Sequence, residues 1–169
     1  MLKRIFAVIA AAITMLTASS LIKSTPIKKP TTETTVVAVS KVSKGAFYPI
    51  SYNEYTELCK VVMAESGGES FKGQMAVAQC ILNTCMIEHI RPVEVVKTHG
   101  YTKWRPEPSE SVKKAVIAVF TDGVTVLDNR VTIFYSPKNV KNGYSKYHES
   151  QIYSCAIGGH KFFIERRYA

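Results

Sequence analysis

Glu65 is the residue whose type and setting most directly indicate chemistry. It follows an apolar stretch at residues 61–64 and precedes the pair Gly67-Gly68. A carboxyl group with apolar neighbours and little water keeps its proton to higher pH, as a general acid must to protonate a leaving oxygen near neutral pH. The alternative is a surface glutamate near a helix C-terminus, where the helix dipole disfavours a negative charge. Spacing alone leaves both interpretations open.

Glu69 is a second candidate and lies four residues after Glu65. On an unbroken helix the two carboxylates would share one face, but Gly67-Gly68 interrupts the helical pattern. Glu69 then falls in the first turn of the next helix, where the dipole favours a carboxylate. We weigh a substrate contact and a purely structural role equally for Glu69.

A loop at residues 99–104 combines aromatic and polar side chains that suit a sugar. Pyranose rings have apolar faces that stack on aromatic rings, and their hydroxyl groups need hydrogen-bond partners. The candidates in this loop are His99, Tyr101, Thr102 and Trp104. Loop aromatics also serve as anchors to the core, and for Trp104 taken alone we predict this second role.

Two later positions place polar side chains at turns. Tyr135 ends a predicted strand within the turn at 134–137, and His160 follows Gly158-Gly159 at a predicted hairpin tip. His160 would orient a substrate or a carboxylate, although a single histidine on a strand is more often structural.

The cysteine spacings do not match a metal site. The four cysteines are Cys59, Cys80, Cys85 and Cys155. None of the spacings is the C-x-x-C of zinc ligands, so the cysteines carry no metal signature. We expect neither a metal nor a cofactor. We predict free, buried thiols that pack as small apolar side chains. The alternative is a thiol nucleophile, Cys59 or Cys155 acting with a histidine, for which no local signature is present.

Apolar periodicity predicts the elements that would position these residues. A first helix begins at the capping box of Ser51 and Glu54 and runs to about residue 66. Further helices are predicted at 70–88, 92–96 and 109–121, and the stripe of the second includes Met86. Strands are predicted at 131–135, 151–157 and 160–164. This order predicts an α+β fold, with a helical N-terminal lobe followed by a small antiparallel sheet.

Residues 1–20 have the features of an export signal. A basic start at Lys3 and Arg4 precedes an apolar run at 5–16 and small residues at 18–20. A retained membrane tether through residues 5–22 is the alternative. Residues 21–46 are rich in threonine, lysine and proline and predict a flexible tether before a domain at 47–169. The net charge of +9 favours an anionic partner, and export argues against nucleic acid.

Three sequence blocks occur here in the order found in a known family. The first runs Ala64-Glu65-Ser66-Gly67-Gly68-Glu69, Gly73-Gln74, Ala76-Val77-Ala78 and Leu82-Asn83. The others are Phe134-Tyr135-Ser136-Pro137 and Ile157-Gly158-Gly159-His160-Lys161-Phe162-Phe163. Together they resemble the SleB/CwlJ-type cell wall hydrolases, the spore cortex-lytic enzymes and their relatives, over about residues 52–166. The Q-F-S or Q-F-T of that family is represented here by Gly100-Tyr101-Thr102.

This resemblance implies a two-lobed domain distantly like lysozymes and lytic transglycosylases. It implies cleavage of peptidoglycan or spore cortex between N-acetylmuramic acid, or its lactam, and N-acetylglucosamine. It also implies that one carboxyl, that of Glu65, protonates the leaving oxygen and then takes the proton of the muramyl 6-hydroxyl, which closes a 1,6-anhydro ring. The predicted substrate contacts are Glu69, Tyr101, Thr102, Tyr135 and His160.

Two other hypotheses are kept beside this one. The tether and the charge suit a non-catalytic peptidoglycan-binding protein, and the cysteines leave a thiol-dependent wall peptidase or amidase open. In each case we expect a monomer outside the cytoplasm, in the cell wall or at the outer face of the membrane.

Overall fold

The structure is a computed structural model that describes residues 47–139 and 144–169. The predicted export signal or anchor at 1–20 and the predicted tether at 21–46 lie outside the described residues. Within the two described ranges, no helix has both the length and the apolar character needed to cross a bilayer.

Helix α1, Tyr52–Ser66, starts at the predicted capping box. The Ser51 side chain accepts a hydrogen bond from the Glu54 backbone, and the Glu54 carboxylate accepts one from the Ser51 backbone at 2.8 Å. The Glu54 carboxylate also binds the Arg91 guanidinium at 2.6 Å. Burial alone would raise the pKa of Glu54, but Arg91 and Ser51 outweigh it and lower that pKa. The cap therefore also fastens α1 to the segment before the third helix.

Helix α2, Phe71–Glu88, is the centre of the fold. Every residue from 73 to 85 is buried, because α1, helix α3 (Pro92–Thr98), helix α4 (Glu110–Phe120) and the sheet all pack against it. A helix enclosed on all sides is buried around its whole circumference rather than along one stripe. The prediction that Met86 belongs to the apolar stripe is wrong, since its side chain is 51% exposed at the end of the buried part.

Buried amide side chains on α2 bind the backbone of the segment that leads into the sheet. The Gln79 side chain accepts from the backbone N–H groups of Val126 and Leu127 and donates to the Leu127 carbonyl at 2.9 Å. The Asn83 side chain donates to the carbonyls of Asp128 and Val131, at 3.0 and 2.8 Å. A buried amide without partners is costly, so these bonds determine where the chain after α4 must run.

The sheet has three antiparallel strands in the order β1-β3-β2. They are β1 (Val131–Tyr135), β2 (Ile152–Ile157) and β3 (His160–Ile164). Gly158 has a φ of 59° in the turn between β2 and β3, which a residue with a side chain rarely adopts. All three strands were predicted, and the α+β fold class is confirmed.

Two short elements were not predicted: helix α5, Tyr144–Glu149, and a 3₁₀ helix at Arg166–Tyr168. Both are shorter than two helical turns, so neither contains enough apolar periodicity to be recognised. The four cysteines are free thiols; Cys59, Cys80 and Cys85 are buried and Cys155 is half-buried.

We predict that Gln79→Leu lowers the free energy of unfolding by about 2 kcal/mol or more, because it leaves backbone donors and an acceptor of the 126–127 segment unpaired. Met86→Leu introduces the same residue on the same helix at an exposed position, and we expect a change within about 0.5 kcal/mol. Urea denaturation measures both. Equal effects of the two substitutions would show that the Gln79 amide does not hold that segment.

Candidate active site

A cleft of about 970 Å³ lies between the helices and the sheet. Its helical side consists of the end of α1 and the loop that follows α3, and its sheet side is formed mainly by β1. The lining residues nearest to the predicted chemistry are Ala64, Glu65, His99, Tyr101, Tyr135 and His160. The cleft therefore brings together residues that are almost a hundred positions apart in the chain.

Glu65 occupies the last turn of α1, is half-buried and lines this cleft. Its Oε1 accepts a hydrogen bond from the backbone N–H of Thr102 at 2.8 Å. This bond holds one carboxyl oxygen against the loop and fixes the direction of the side chain. The pairing of Glu65 with the predicted residue Thr102 is made through the main chain, so it does not require a particular side chain at position 102.

The loop that supplies this N–H group is held by Arg105. Its guanidinium donates to the carbonyls of Thr102 and Trp104 and to the carboxylate of Glu57 on α1 at 2.5 Å. The Trp104 backbone N–H also donates to the Thr102 hydroxyl at 3.2 Å. Sequence reasoning missed Arg105 and Glu57, because a pair 48 positions apart leaves no periodic signal.

Tyr101 lines the cleft next to Glu65. Its ring contacts Phe134 of β1, with the ring centroids 6.1 Å apart. Burial of the hydroxyl, together with the nearby Cys80 and Glu65, raises the pKa of Tyr101 well above its usual value of 10. The phenol is therefore neutral at physiological pH and can donate a hydrogen bond.

Tyr135 contributes an aromatic surface to the cleft. Its ring stacks on Phe163 at a centroid distance of 5.8 Å, and its hydroxyl donates to the carboxylate of Glu149. This hydrogen bond is the main reason why the pKa of Tyr135 is raised. Tyr135 is 9% exposed and its hydroxyl has an acceptor within the protein, so the residue forms part of the cleft wall.

Glu69 was predicted to contact the substrate, but it is not among the residues that line the cleft. Both of its carboxylate oxygens accept from the backbone N–H of Gly159, at 3.2 and 3.1 Å. A Cβ added at Gly158 would overlap a carboxylate oxygen, and one at Gly159 would lie 2.8 Å from the other. Glu69 therefore joins the start of α2 to the tip of the β2–β3 hairpin.

His160 connects this junction to the cleft. It is buried, lines the cleft, and packs edge-on against Phe134 at a centroid distance of 5.5 Å. Its Nδ1 lies 3.4 Å from a Glu69 oxygen, close enough for an ion pair but not aligned as a hydrogen bond. The carboxylate beside His160 is therefore that of Glu69.

Glu165 is a second carboxylate in the cleft that sequence reasoning missed. It is buried, and its oxygens accept from the hydroxyls of Thr132 and Tyr147, at 3.3 and 3.2 Å, and from the Arg167 guanidinium at 2.8 Å. The signal that could have revealed it is its position directly after the buried strand β3, where a charged side chain needs partners. Across 47–139 and 144–169, no group of three or more potential ligands is arranged to hold a metal ion.

Trp104 is 65% exposed, so the prediction that it anchors the loop in the core is wrong. Tyr101 of the same loop is the residue that anchors it, since the Tyr101 side chain packs against the core. The indole of Trp104 points away from the interior while its backbone is bound to Thr102 and Arg105.

No protein-family model matches the chain, and no curated protein matches it. Solved structures that are similar to it include the catalytic domain of the germination-specific lytic transglycosylase SleB from Bacillus anthracis, at 25% identity and a TM-score of 0.49. That similarity covers 68% of this chain and 96% of the other. The catalytic domain of Bacillus cereus SleB is also 25% identical, with a TM-score of 0.46, covering 67% of this chain and 91% of the other.

Three glycine substitutions test whether Glu69 fills the space at the hairpin tip. Gly158→Ala combines a φ of 59° with overlap on Glu69, and we expect it to lower the free energy of unfolding by about 2–4 kcal/mol. Gly100→Ala has a φ of 74° but open space, so about 1 kcal/mol is expected. Gly68→Ala has neither cost, so a change within about 0.5 kcal/mol is expected.

Chemical denaturation of the three variants provides the comparison. If Gly158→Ala costs no more than Gly100→Ala, the Glu69 carboxylate is not held firmly at the hairpin tip.

Proposed function

We propose that this chain is a peptidoglycan-cleaving enzyme that cuts the glycan strand between N-acetylmuramic acid, or muramic lactam, and N-acetylglucosamine. The observation that carries the proposal is the position of Glu65, which lines a cleft of about 970 Å³ with one oxygen held by the Thr102 N–H group. A catalytic acid needs space for the sugar beside it and a fixed direction, and Glu65 has both. The family resemblance of the surrounding motif supports the same role.

In the proposed reaction, Glu65 acts first as an acid and then as a base. Its proton goes to the oxygen that leaves with N-acetylglucosamine, while the bond from muramyl C1 to that oxygen breaks. The carboxylate then takes the proton of the muramyl 6-hydroxyl, whose oxygen forms a new bond to C1. The product is a 1,6-anhydromuramyl end, and the carboxyl is protonated again. One carboxyl is sufficient, unlike the pair that most glycoside hydrolases use.

The other cleft residues are proposed to hold the sugar. The rings of Tyr101 and Tyr135 offer apolar surfaces, and the neutral Tyr101 phenol is a hydrogen-bond donor near Glu65. His160 is proposed to contact the substrate from the hairpin side. Thr102 positions Glu65 through its backbone. For Glu69 we propose an indirect contribution, through the hairpin tip that carries His160.

The site of action is proposed to lie outside the cytoplasm. Residues 1–20 have the features of an export signal, and the net charge of +9 suits a wall that carries acidic polymers. Residues 21–46 would let the enzyme reach the wall from the export site or the membrane.

The decisive test is Glu65→Gln on purified peptidoglycan sacs or spore cortex. The amide oxygen can still accept from the Thr102 N–H group, so the fold should be retained. We expect release of soluble products to fall by at least about 100-fold, because the amide cannot donate the catalytic proton. Glu110→Gln, which removes a carboxylate with a side chain that is 78% exposed, should leave the rate unchanged.

Full activity of Glu65→Gln would refute the proposal. If the unmodified protein binds the sacs and releases nothing, it is a wall-binding protein. If thiol alkylation abolishes release, it is a cysteine enzyme; Cys59 is a poor nucleophile for this purpose, because burial raises its pKa to about 11.

Hydrolysis with two carboxylates is a second candidate, favoured by the presence of Glu165 in the same cleft as Glu65. In this reaction one carboxyl protonates the leaving oxygen and the other activates water or attacks the sugar. The ion pair with Arg167 and the hydroxyls of Thr132 and Tyr147 argue for a structural role of Glu165, since they already use its oxygens.

Mass spectrometry of the released fragments, combined with Glu165→Gln, separates the two reactions. For the single-carboxyl reaction we expect anhydromuramyl ends from both the unmodified protein and the variant, with the rate of the variant reduced less than about tenfold. Reducing muramyl ends, together with a loss in Glu165→Gln as large as that in Glu65→Gln, would identify the two-carboxylate hydrolase.

A further inference from the structure

Trp104 is an exposed aromatic side chain in the loop whose backbone binds the candidate catalytic carboxyl. It is the sole tryptophan of the chain, and its side chain is 65% exposed. Isolated exposed apolar residues are common on protein surfaces, and Tyr52 is one of them here, at 55%. What distinguishes Trp104 is its position in the loop that holds Glu65.

Two hydrogen bonds connect Trp104 to Glu65 by way of Thr102. The Trp104 N–H donates to the Thr102 hydroxyl, and the Thr102 N–H donates to Glu65. Two residues of chain span at most about 7 Å, so Trp104 lies within reach of a sugar adjacent to the one at Glu65. Arg105 donates to the carbonyls of both Thr102 and Trp104, so the indole projects from a fixed backbone.

The loop that carries Trp104 borders two cavities. Tyr101 lines both the main cleft and a neighbouring pocket of about 510 Å³, which Lys103 and Arg105 also line. Trp104 itself lines neither cavity, so it is available to a part of the ligand that extends past the cleft. A glycan strand is a polymer and must extend beyond the bond that is cut.

We propose that Trp104 is a sugar-binding subsite outside the cleft, where the indole stacks on a pyranose ring of the same glycan strand. The inference rests on the proposed function, because it assumes a glycan at Glu65. The C–H face of a pyranose ring is apolar, and covering it with an indole removes apolar surface from water. A tryptophan held by its backbone loses little conformational freedom on binding, which suits a preformed subsite.

The neighbours of Trp104 favour a sugar over an apolar protein surface. An interface patch would join several exposed apolar side chains, whereas Trp104 stands between Lys103 and Arg105. A single aromatic ring with polar neighbours matches a sugar, which has one apolar face and a rim of hydroxyl groups.

Fluorescence of the full-length Glu65→Gln variant tests the contact directly. Because Trp104 is the sole tryptophan, emission excited at the red edge of protein absorption reports on this one indole. Addition of soluble glycan strands without stem peptides should shift the emission maximum to shorter wavelength in a saturable manner. Binding seen by calorimetry without any change in emission would overturn the proposal.

Kinetics on peptidoglycan sacs distinguish a subsite from a structural role. We expect Trp104→Ala to raise KM about fivefold to tenfold while kcat changes less than about twofold, and Trp104→Phe to recover most of the loss. Tyr52→Ala removes a similarly exposed aromatic roughly 20 Å from Glu65 along α1 and should leave both constants unchanged.

Two outcomes of the kinetic experiment would contradict the subsite. If Trp104→Ala lowers kcat as strongly as it raises KM, and Phe does not restore it, Trp104 acts by holding Thr102 in place. Unchanged constants in Trp104→Ala would show that no sugar binds there. Failure of the proposed function is seen separately, as full activity of Glu65→Gln.

Discussion

The burial of α2 on all sides is the constraint on which the rest of the structure depends. A helix enclosed in this way cannot leave its polar side chains to water, so Gln79 and Asn83 must bind groups inside the protein. They bind the backbone between Val126 and Val131, which directs the chain into β1. Because β1 forms most of the sheet side of the cleft, the amide groups of α2 determine the position of β1 relative to Glu65.

The two glutamates of the sequence motif are used in opposite ways. Glu65 lies in the last turn of α1 and lines the cleft, and among the residues that the structure describes its hydrogen-bond partner is the backbone N–H of Thr102. Glu69, four residues later, has both oxygens bound at a hairpin tip made only of glycines. The break at Gly67 separates their directions. The same motif thus places one carboxyl in the cleft and uses the other to join the start of α2 to the sheet.

The local elements could be predicted from the sequence because their signals are local. The capping box of Ser51, the apolar periods and the glycine pair of the hairpin each act within a few residues, and the structure has the predicted helices and strands. The predicted order of helices before strands led to the observed fold class. Short elements such as α5 were missed, because fewer than two turns contain too few apolar repeats to be recognised.

The sequence by itself determined the cap at Ser51, the four longer helices, the three strands and the choice of Glu65 as the candidate acid. Only the tertiary structure decided that Thr102 binds Glu65, that Glu165 lies in the same cleft and that Trp104 is exposed. These facts depend on contacts between residues many positions apart, and a long-range contact leaves no periodic trace in the chain. The packing of α2 against α1, α3, α4 and the sheet brings the helices and β1 to the two sides of the cleft, which no local pattern could specify.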